Sequence, residues 1–182
     1  TLVEEADVLL IESTYGNRLH ENEEAAGNKL EKIINETINN YGKVIVPSFA
    51  VGRTQELVYR LHQLVNEKKI SDKLPVFVDS PLAIDATEIY RLHPETFDRE
   101  TSAFMLEQKR GEVFGFEMMR YTRTTTESKE LNALTGPAII ISASGMAEAG
   151  RILHHLKNNI EDQANTILFV GWQAPHTLGR RI

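Results

Sequence analysis

Short runs of aliphatic and β-branched residues alternate along this chain with longer segments of helical periodicity, and that alternation constrains the fold more than any other sequence feature. Val8-Leu9-Leu10-Ile11, Val44-Ile45-Val46, Val76-Phe77-Val78, Ala138-Ile139-Ile140-Ile141 and Ile167-Leu168-Phe169-Val170 are continuous apolar runs. Such runs suit strands buried on both faces. Residues 22–41 carry Leu30, Ile33, Ile34, Thr37 and Ile38 at helical spacing, with Gly42 as the expected C-cap. Residues 53–67 place Leu57, Leu61, Leu64 and Val65 on one stripe. Pro81 opens a helix carrying Leu82, Ile89, Tyr90 and Leu92, and residues 149–160 turn Ile152, Leu153, Leu156 and Ile160 inward. Between 94 and 134 the pattern predicts a helix around 99–110, a strand within Phe116–Tyr121 and a short helix at Glu127–Leu134. Strand–helix alternation implies right-handed crossovers. The predicted fold is α/β: a Rossmann-like, doubly wound, mainly parallel sheet of about five to six strands with helices on both faces, spanning residues 1–182 as one domain.

The sequence contains no cysteine, which removes disulfides, thiolate metal sites and cysteine nucleophiles together. It also fits a reducing compartment, and a cytoplasmic location is expected. No apolar run approaches the ~20 residues that span a bilayer, so no membrane partner is expected. The chain starts Thr1-Leu2-Val3-Glu4-Glu5 without an initiator Met or a signal-like run, and reads as a piece of a longer protein. The net charge of −6 argues against a polyanionic partner until its distribution is considered. Residues 1–40 hold Glu4, Glu5, Asp7, Glu12, Glu21, Glu23, Glu24, Glu31 and Glu36 against Arg18, Lys29 and Lys32, and the rest of the chain is balanced. A solvated acidic helix can therefore coexist with a basic edge elsewhere.

In a doubly wound sheet, ligands bind beyond the carboxyl ends of the strands. Those ends read Glu12-Ser13-Thr14-Tyr15-Gly16, Ser48-Phe49-Ala50-Val51-Gly52-Arg53-Thr54, Asp79-Ser80-Pro81, Ser142-Ala143-Ser144-Gly145-Met146 and Gly171-Trp172-Gln173. Small and hydroxyl residues there leave backbone N–H groups available to an anion, and Arg53 adds a guanidinium able to pair with phosphate. Ser, Asp and Gly are also the ordinary residues of caps and turns. The ends therefore imply a polar or anionic ligand without naming a reaction. No G-x-x-x-x-G-K-[ST], G-x-G-x-x-G or H-E-x-x-H motif accompanies them. The histidines at 20, 62, 93, 154, 155 and 176 are scattered. His154 and His155 diverge by roughly 100° on their helix, and both are expected at a surface or interface rather than on a metal.

Five segments, taken together, resemble the β-CASP domain of RNA-processing nucleases of the metallo-β-lactamase superfamily. Ile11-Glu12-Ser13-Thr14-Tyr15-Gly16-Asn17 is similar to the segment with the acidic residue of motif A. Val46-Pro47-Ser48-Phe49-Ala50-Val51-Gly52-Arg53-Thr54-Gln55-Glu56-Leu57 resembles the family's P-x-F-A-x-G-R-x-Q-E-L stretch. Asp79-Ser80-Pro81-Leu82-Ala83, the loop Ser142–Met146 with Gly150-Arg151, and Gly171–Ala174 with Thr177–Arg181 follow in family order.

The resemblance implies a substrate-clamp domain beside a metallo-β-lactamase domain of the same chain, with RNA threading the cleft between them. Two zinc ions held by that other domain would supply a hydroxide that attacks a phosphodiester and would stabilise the developing charge. The H-x-H-x-D-H ligands are absent here, so no metal is expected on this chain and no activity from it alone. Glu12 would support the metal site by hydrogen bonding to a motif B histidine and so orienting it. Arg53, Ser80, Ser144, Gly145, Arg151, Arg180 and Arg181 are the expected RNA contacts. Where relatives often read Gln-Ala-Glu-Gly-Thr, this chain has Gln173-Ala174-Pro175-His176-Thr177, which replaces a glycine. Two other readings share the polar edge: a nucleotide- or small-molecule-binding Rossmann-like domain, and an interaction module that binds partners or a second copy as a homodimer.

Overall fold

A computed structural model describes residues 3–19, 22–108 and 111–182. His20, Glu21 and the end of the helix predicted to reach 110 lie outside the described residues. The helices are α1 (Glu23–Asn39), α2 (Arg53–Asn66), α3 (Pro81–Leu92), α4 (Arg99–Glu107), α5 (Thr125–Glu130), α6 (Ile152–Asn159) and α7 (Leu178–Arg181). The strands are β1 (Lys43–Pro47), β2 (Val76–Asp79), β3 (Met119–Tyr121), β4 (Ala138–Ser142) and β5 (Thr166–Ile167). All pairings are parallel, in the order β3-β2-β4-β1-β5. The fold is the doubly wound α/β class expected.

Side-chain alternation divides the core into two layers. Val44 and Val46 of β1, Val76 and Val78 of β2, and Ile139 and Ile141 of β4 face one side, where Ile34, Leu57, Leu61 and Leu64 from α1 and α2 cover them. Ile45 and Ile140 face the other side, against Ile152 and Leu156 of α6 and Leu131. Burial on both faces explains why these strands read as unbroken apolar runs.

Several expectations are corrected. Val8–Ile11 is no strand: its four residues are 63–90% exposed, and the five strands pair without it. An apolar run becomes a strand only where a neighbouring strand meets its backbone groups. The predicted strand Ile167–Val170 is shortened to Thr166–Ile167, with one further ladder bond from Leu168 N to the Ile45 carbonyl. Gly42 does not supply the left-handed residue that ends α1. Tyr41 does, at φ 64°, with bonds from Tyr41 N to Ile38 O and from Gly42 N to Thr37 O. Gly42 is needed for another reason, since a Cβ there would lie 1.7 Å from the Ala164 carbonyl oxygen.

The inward face of α6 also differs from the sequence reading, and α3 turns mostly small residues inward. α3 buries Ala83, Ile84, Ala86 and Thr87 and leaves Leu82, Ile89 and Leu92 exposed. α6 buries His155 and Asn159 with Ile152 and Leu156, while Leu153 and Ile160 face outward. The short α7 carried no sequence signal. Among the described residues, no helix is long and apolar enough to cross a membrane.

Ile140 is fully buried and touches the layer that α6 covers. Ile140→Ala is expected to lower stability by about 2–5 kcal/mol in urea denaturation, while Leu82→Ala on the exposed face stays within about 0.5 kcal/mol of wild type. Equal losses from the two would contradict this layering.

Candidate functional site

β1 and β4 are neighbours, yet the chain leaves them in opposite directions. From β1 it runs through α2 toward β2, and from β4 through α6 to β5 on the far side of β1. This is a topological switch point, where a crevice opens beyond the strand ends. Residues 48–52 and 143–151 form its walls. A cavity of about 360 Å³ lies there, lined by residues that include Glu12, Tyr15, Phe49, Arg53, Gly145 and Trp172.

The first wall is a turn locked from within. Ser48 is buried, its N–H donates to the Ser142 carbonyl at 3.0 Å, and the Thr54 hydroxyl lies 2.7 Å from the Phe49 carbonyl. Gly52 then opens α2, and Arg53 pairs with Glu56 at 2.8 Å while staying 39% exposed. The second wall folds on itself: Ser144 Oγ accepts from Glu148 N at 3.2 Å and Ala149 N at 3.3 Å. Gly145 meets the first wall closely, because a Cβ on it would stand 2.8 Å from the Phe49 ring and 3.0 Å from Phe49 N. Its carbonyl accepts from Gln173 Nε2 at 3.0 Å.

Further contacts surround the cavity. Trp172 N donates to the Tyr15 hydroxyl at 3.2 Å, tying the last loop to the segment bearing Glu12. Glu12 is exposed and accepts from Thr14 N at 2.7 Å, and the side-chain and backbone bonds from Thr14 hold its carboxyl below the usual range. α7 docks on the second wall through Gly179 N to the Met146 carbonyl at 3.0 Å and through Leu178 N to the Glu148 carboxylate. That places the exposed Arg180 and Arg181 beside the loop.

The expected site residues therefore divide. Glu12, Arg53 and Gly145 line one cavity, and Ser144, Arg180 and Arg181 belong to the wall and the helix docked on it. Ser80 and Arg151 have internal duties. Ser80 is buried and caps α3, accepting from Ala83 N at 3.3 Å. Arg151 donates to Asp79 Oδ1 at 2.7 Å and to the Arg123 carbonyl at 2.7 Å. Asp79 is fully buried at the end of β2. It also takes bonds from the Thr122 hydroxyl at 2.6 Å and the Ser128 hydroxyl at 2.6 Å, and lies 2.7 Å from His155 Nε2. His155 is thus a buried partner of a carboxylate, correcting its expected surface place. Burial pushes the Asp79 carboxyl up, but the His155, Ser128, Thr122 and Arg151 bonds prevail and hold it far below the usual range. A single Asp at a strand end carries no sequence signal that separates such a hub from an ordinary cap. Phe49 and Trp172, read only as parts of motifs, are equally placed on the cavity by the fold.

Residues 54–182 match the family model described as the Beta-Casp domain. The chain belongs to the Beta-Casp family. Ribonuclease TTHA0252 of Thermus thermophilus is 35% identical over 178 residues, covering 97% of this chain and 40% of the relative. Transcription termination factor FttA of Methanocaldococcus jannaschii is 34% identical over 179 residues, covering 97% and 27%. An RNase J-like protein of the same organism is 35% identical over 184 residues, covering 100% and 41%. This Beta-Casp chain thus spans less than half the length of the relatives it matches.

Ala174–Thr177 is a tight turn, with the Thr177 hydroxyl donating to the Ala174 carbonyl at 2.7 Å. His176 sits in it at φ 71°, the left-handed region that a glycine adopts freely, directly after Pro175. A residue with a Cβ adopts that backbone conformation only at a cost. His176→Gly is expected to raise stability by up to about 1 kcal/mol in chemical denaturation, and a loss instead would show that the imidazole makes a compensating contact.

Asp79→Asn is expected to lower stability at pH 7 by about 3–5 kcal/mol, because Arg151 loses a buried counter-charge. The folded carboxyl titrates below its unfolded value near 4. Its contribution is therefore full above that value and fades as pH falls from about 5 toward the folded value. Urea midpoints should show a steep acid loss in wild type and a flatter one in the variant; parallel profiles would contradict the role given to Asp79.

Proposed function

We propose that this chain is the RNA-holding wall of a larger nuclease, and that a metallo-β-lactamase domain of the same protein, with two zinc ions, cuts the strand held there. The observation that carries this reading is the switch-point cavity. It brings the motif A-like Glu12 together with Arg53 and the Gly145 loop, and α7 adds Arg180 and Arg181 beside that loop. Relatives named as ribonucleases support the reaction class. The exposed run Val8–Ile11, directly before Glu12, supports a neighbouring domain: four apolar residues would add a strand to its sheet and carry Glu12 to the boundary.

Among the described residues, no three His, Asp or Glu side chains gather to hold a metal ion. The part proposed for this chain is to bind and orient the RNA, with the zinc ions held by the other domain. Arg53, Arg180 and Arg181 would neutralise phosphates, with Ser144 and Gly145 shaping the contact, which gives affinity with little base preference. Ser80 and Arg151 would act indirectly, by bracing the wall. A second reading, a homodimer, is favoured by the exposed Leu82, Ile89 and Leu92 of α3, and sedimentation over a concentration series tests it.

In the full-length protein, replacing Arg53, Arg180 and Arg181 by Ala together is expected to weaken RNA binding and reduce the slope of log K against log salt by about 2–3. An unchanged slope would sink the phosphate role. The 182-residue chain supplied with zinc is expected to leave RNA intact; cleavage abolished by Glu12→Ala would sink the division of labour.

A further inference from the structure

The switch-point cavity holds more aromatic surface than a phosphate cradle needs. Phe49 is 47% exposed and Trp172 36% exposed, and both line it, with Pro47, Met146 and Val170 extending its apolar wall. The two aromatic positions are anchored by their surroundings. Phe49 rests against Gly145, where any Cβ would displace its ring. Trp172 is held through its main chain: its backbone N–H donates to the Tyr15 hydroxyl, and its carbonyl accepts from Gln173 Nε2 at 3.3 Å.

The charges around the cavity separate two kinds of ligand group. Glu12 lines it and repels a phosphate placed inside. Arg53 lines it too, with its side chain 39% exposed and paired to Glu56, and Arg180 and Arg181 lie on α7, docked against the same loop. A phosphate is thus favoured beside Arg53 and disfavoured beside Glu12. A volume of about 360 Å³ is at the small end of ligand pockets and leaves room for one flat ring system. Flat, uncharged rings with a phosphate chain alongside are the chemistry of single-stranded nucleic acid, whose bases stack on exposed aromatic faces.

We propose that this cavity takes one unstacked nucleobase of a single-stranded RNA, with Phe49 and Trp172 as its stacking faces and Arg53 on the adjoining phosphate. The proposal rests on the RNA-holding function above and adds to it a requirement for bases, since a backbone grip alone has none. It makes Phe49 and Trp172 binding residues for the single-stranded state.

Trp172 is the sole tryptophan of the 182 residues. In the full-length protein its emission is read as the difference between wild type and Trp172→Leu. A ten-nucleotide single-stranded RNA is expected to quench that emission, and an abasic oligonucleotide of the same length and charge to leave it unchanged. By fluorescence anisotropy, Phe49→Ala should bind the base-bearing strand roughly 5- to 100-fold more weakly, the loss of one stack, and bind the abasic strand as wild type does. Phe49→Tyr, which keeps the ring, should retain wild-type affinity and guards against a folding defect.

Equal affinity for both strands, or equal loss from Phe49→Ala and Phe49→Tyr, overturns the stacking site while leaving the phosphate grip in place. Saturating quenching by adenosine monophosphate at the same concentration overturns it in favour of a small-molecule pocket. Failure of both strands to bind overturns the RNA-holding function and this inference together.

Discussion

The fold depends on one buried charge. A carboxylate in a protein interior is strongly disfavoured unless donors surround it. Asp79 meets that condition with Thr122, Ser128, Arg151 and His155, drawn from the loop after β3, from α5, from the residue preceding α6 and from α6 itself. Its carbonyl also accepts from the Ser142 hydroxyl at 2.9 Å, which joins the ends of β2 and β4. Elements far apart in sequence are thereby fixed to one strand end. The positions of Arg151 and Ser142 then determine where the loop between them can lie.

That constraint reaches the candidate site through short steps. Ile152 N donates to the Ala143 carbonyl at 3.1 Å, so the loop between β4 and α6 closes on the helix that Arg151 and His155 anchor. The closed loop presents Gly145 to Phe49 and offers the Met146 carbonyl to α7. A cavity lined by Phe49, Trp172 and Arg53 is the outcome. Its rigidity suits a binding surface, since contacts made by preordered groups lose less entropy when a ligand arrives.

Much of the scaffold was legible in the sequence, and the limits have physical causes. β1, β2 and β4 were visible because burial on both faces demands aliphatic residues at every position. Val8–Ile11 shows the same composition and yet remains exposed, because composition reports apolarity and says nothing about whether a partner strand is present. The inward face of α6 was misread because apolar spacing identifies a stripe without saying which stripe meets the sheet. On α6 a histidine and an asparagine are buried in place of two aliphatic residues, for the sake of Asp79 and its surroundings.

The sequence by itself determined the α/β class, the polar ends of β1, β2 and β4 and, through five ordered motifs, the Beta-Casp family. These are properties of local pattern and of residue order. Only the tertiary structure decided which of the polar residues work together. It turned Arg151 and Ser80 inward, brought Glu12, Arg53 and Gly145 to one cavity, and set Phe49 and Trp172 beside them. The reason is topological: paired residues of the adjacent strands β1 and β4, such as Lys43 and Ala138, are 95 positions apart in the chain, and the strands' opposite exits create the crevice. A local pattern identifies each strand end, whereas sheet order decides which ends become neighbours.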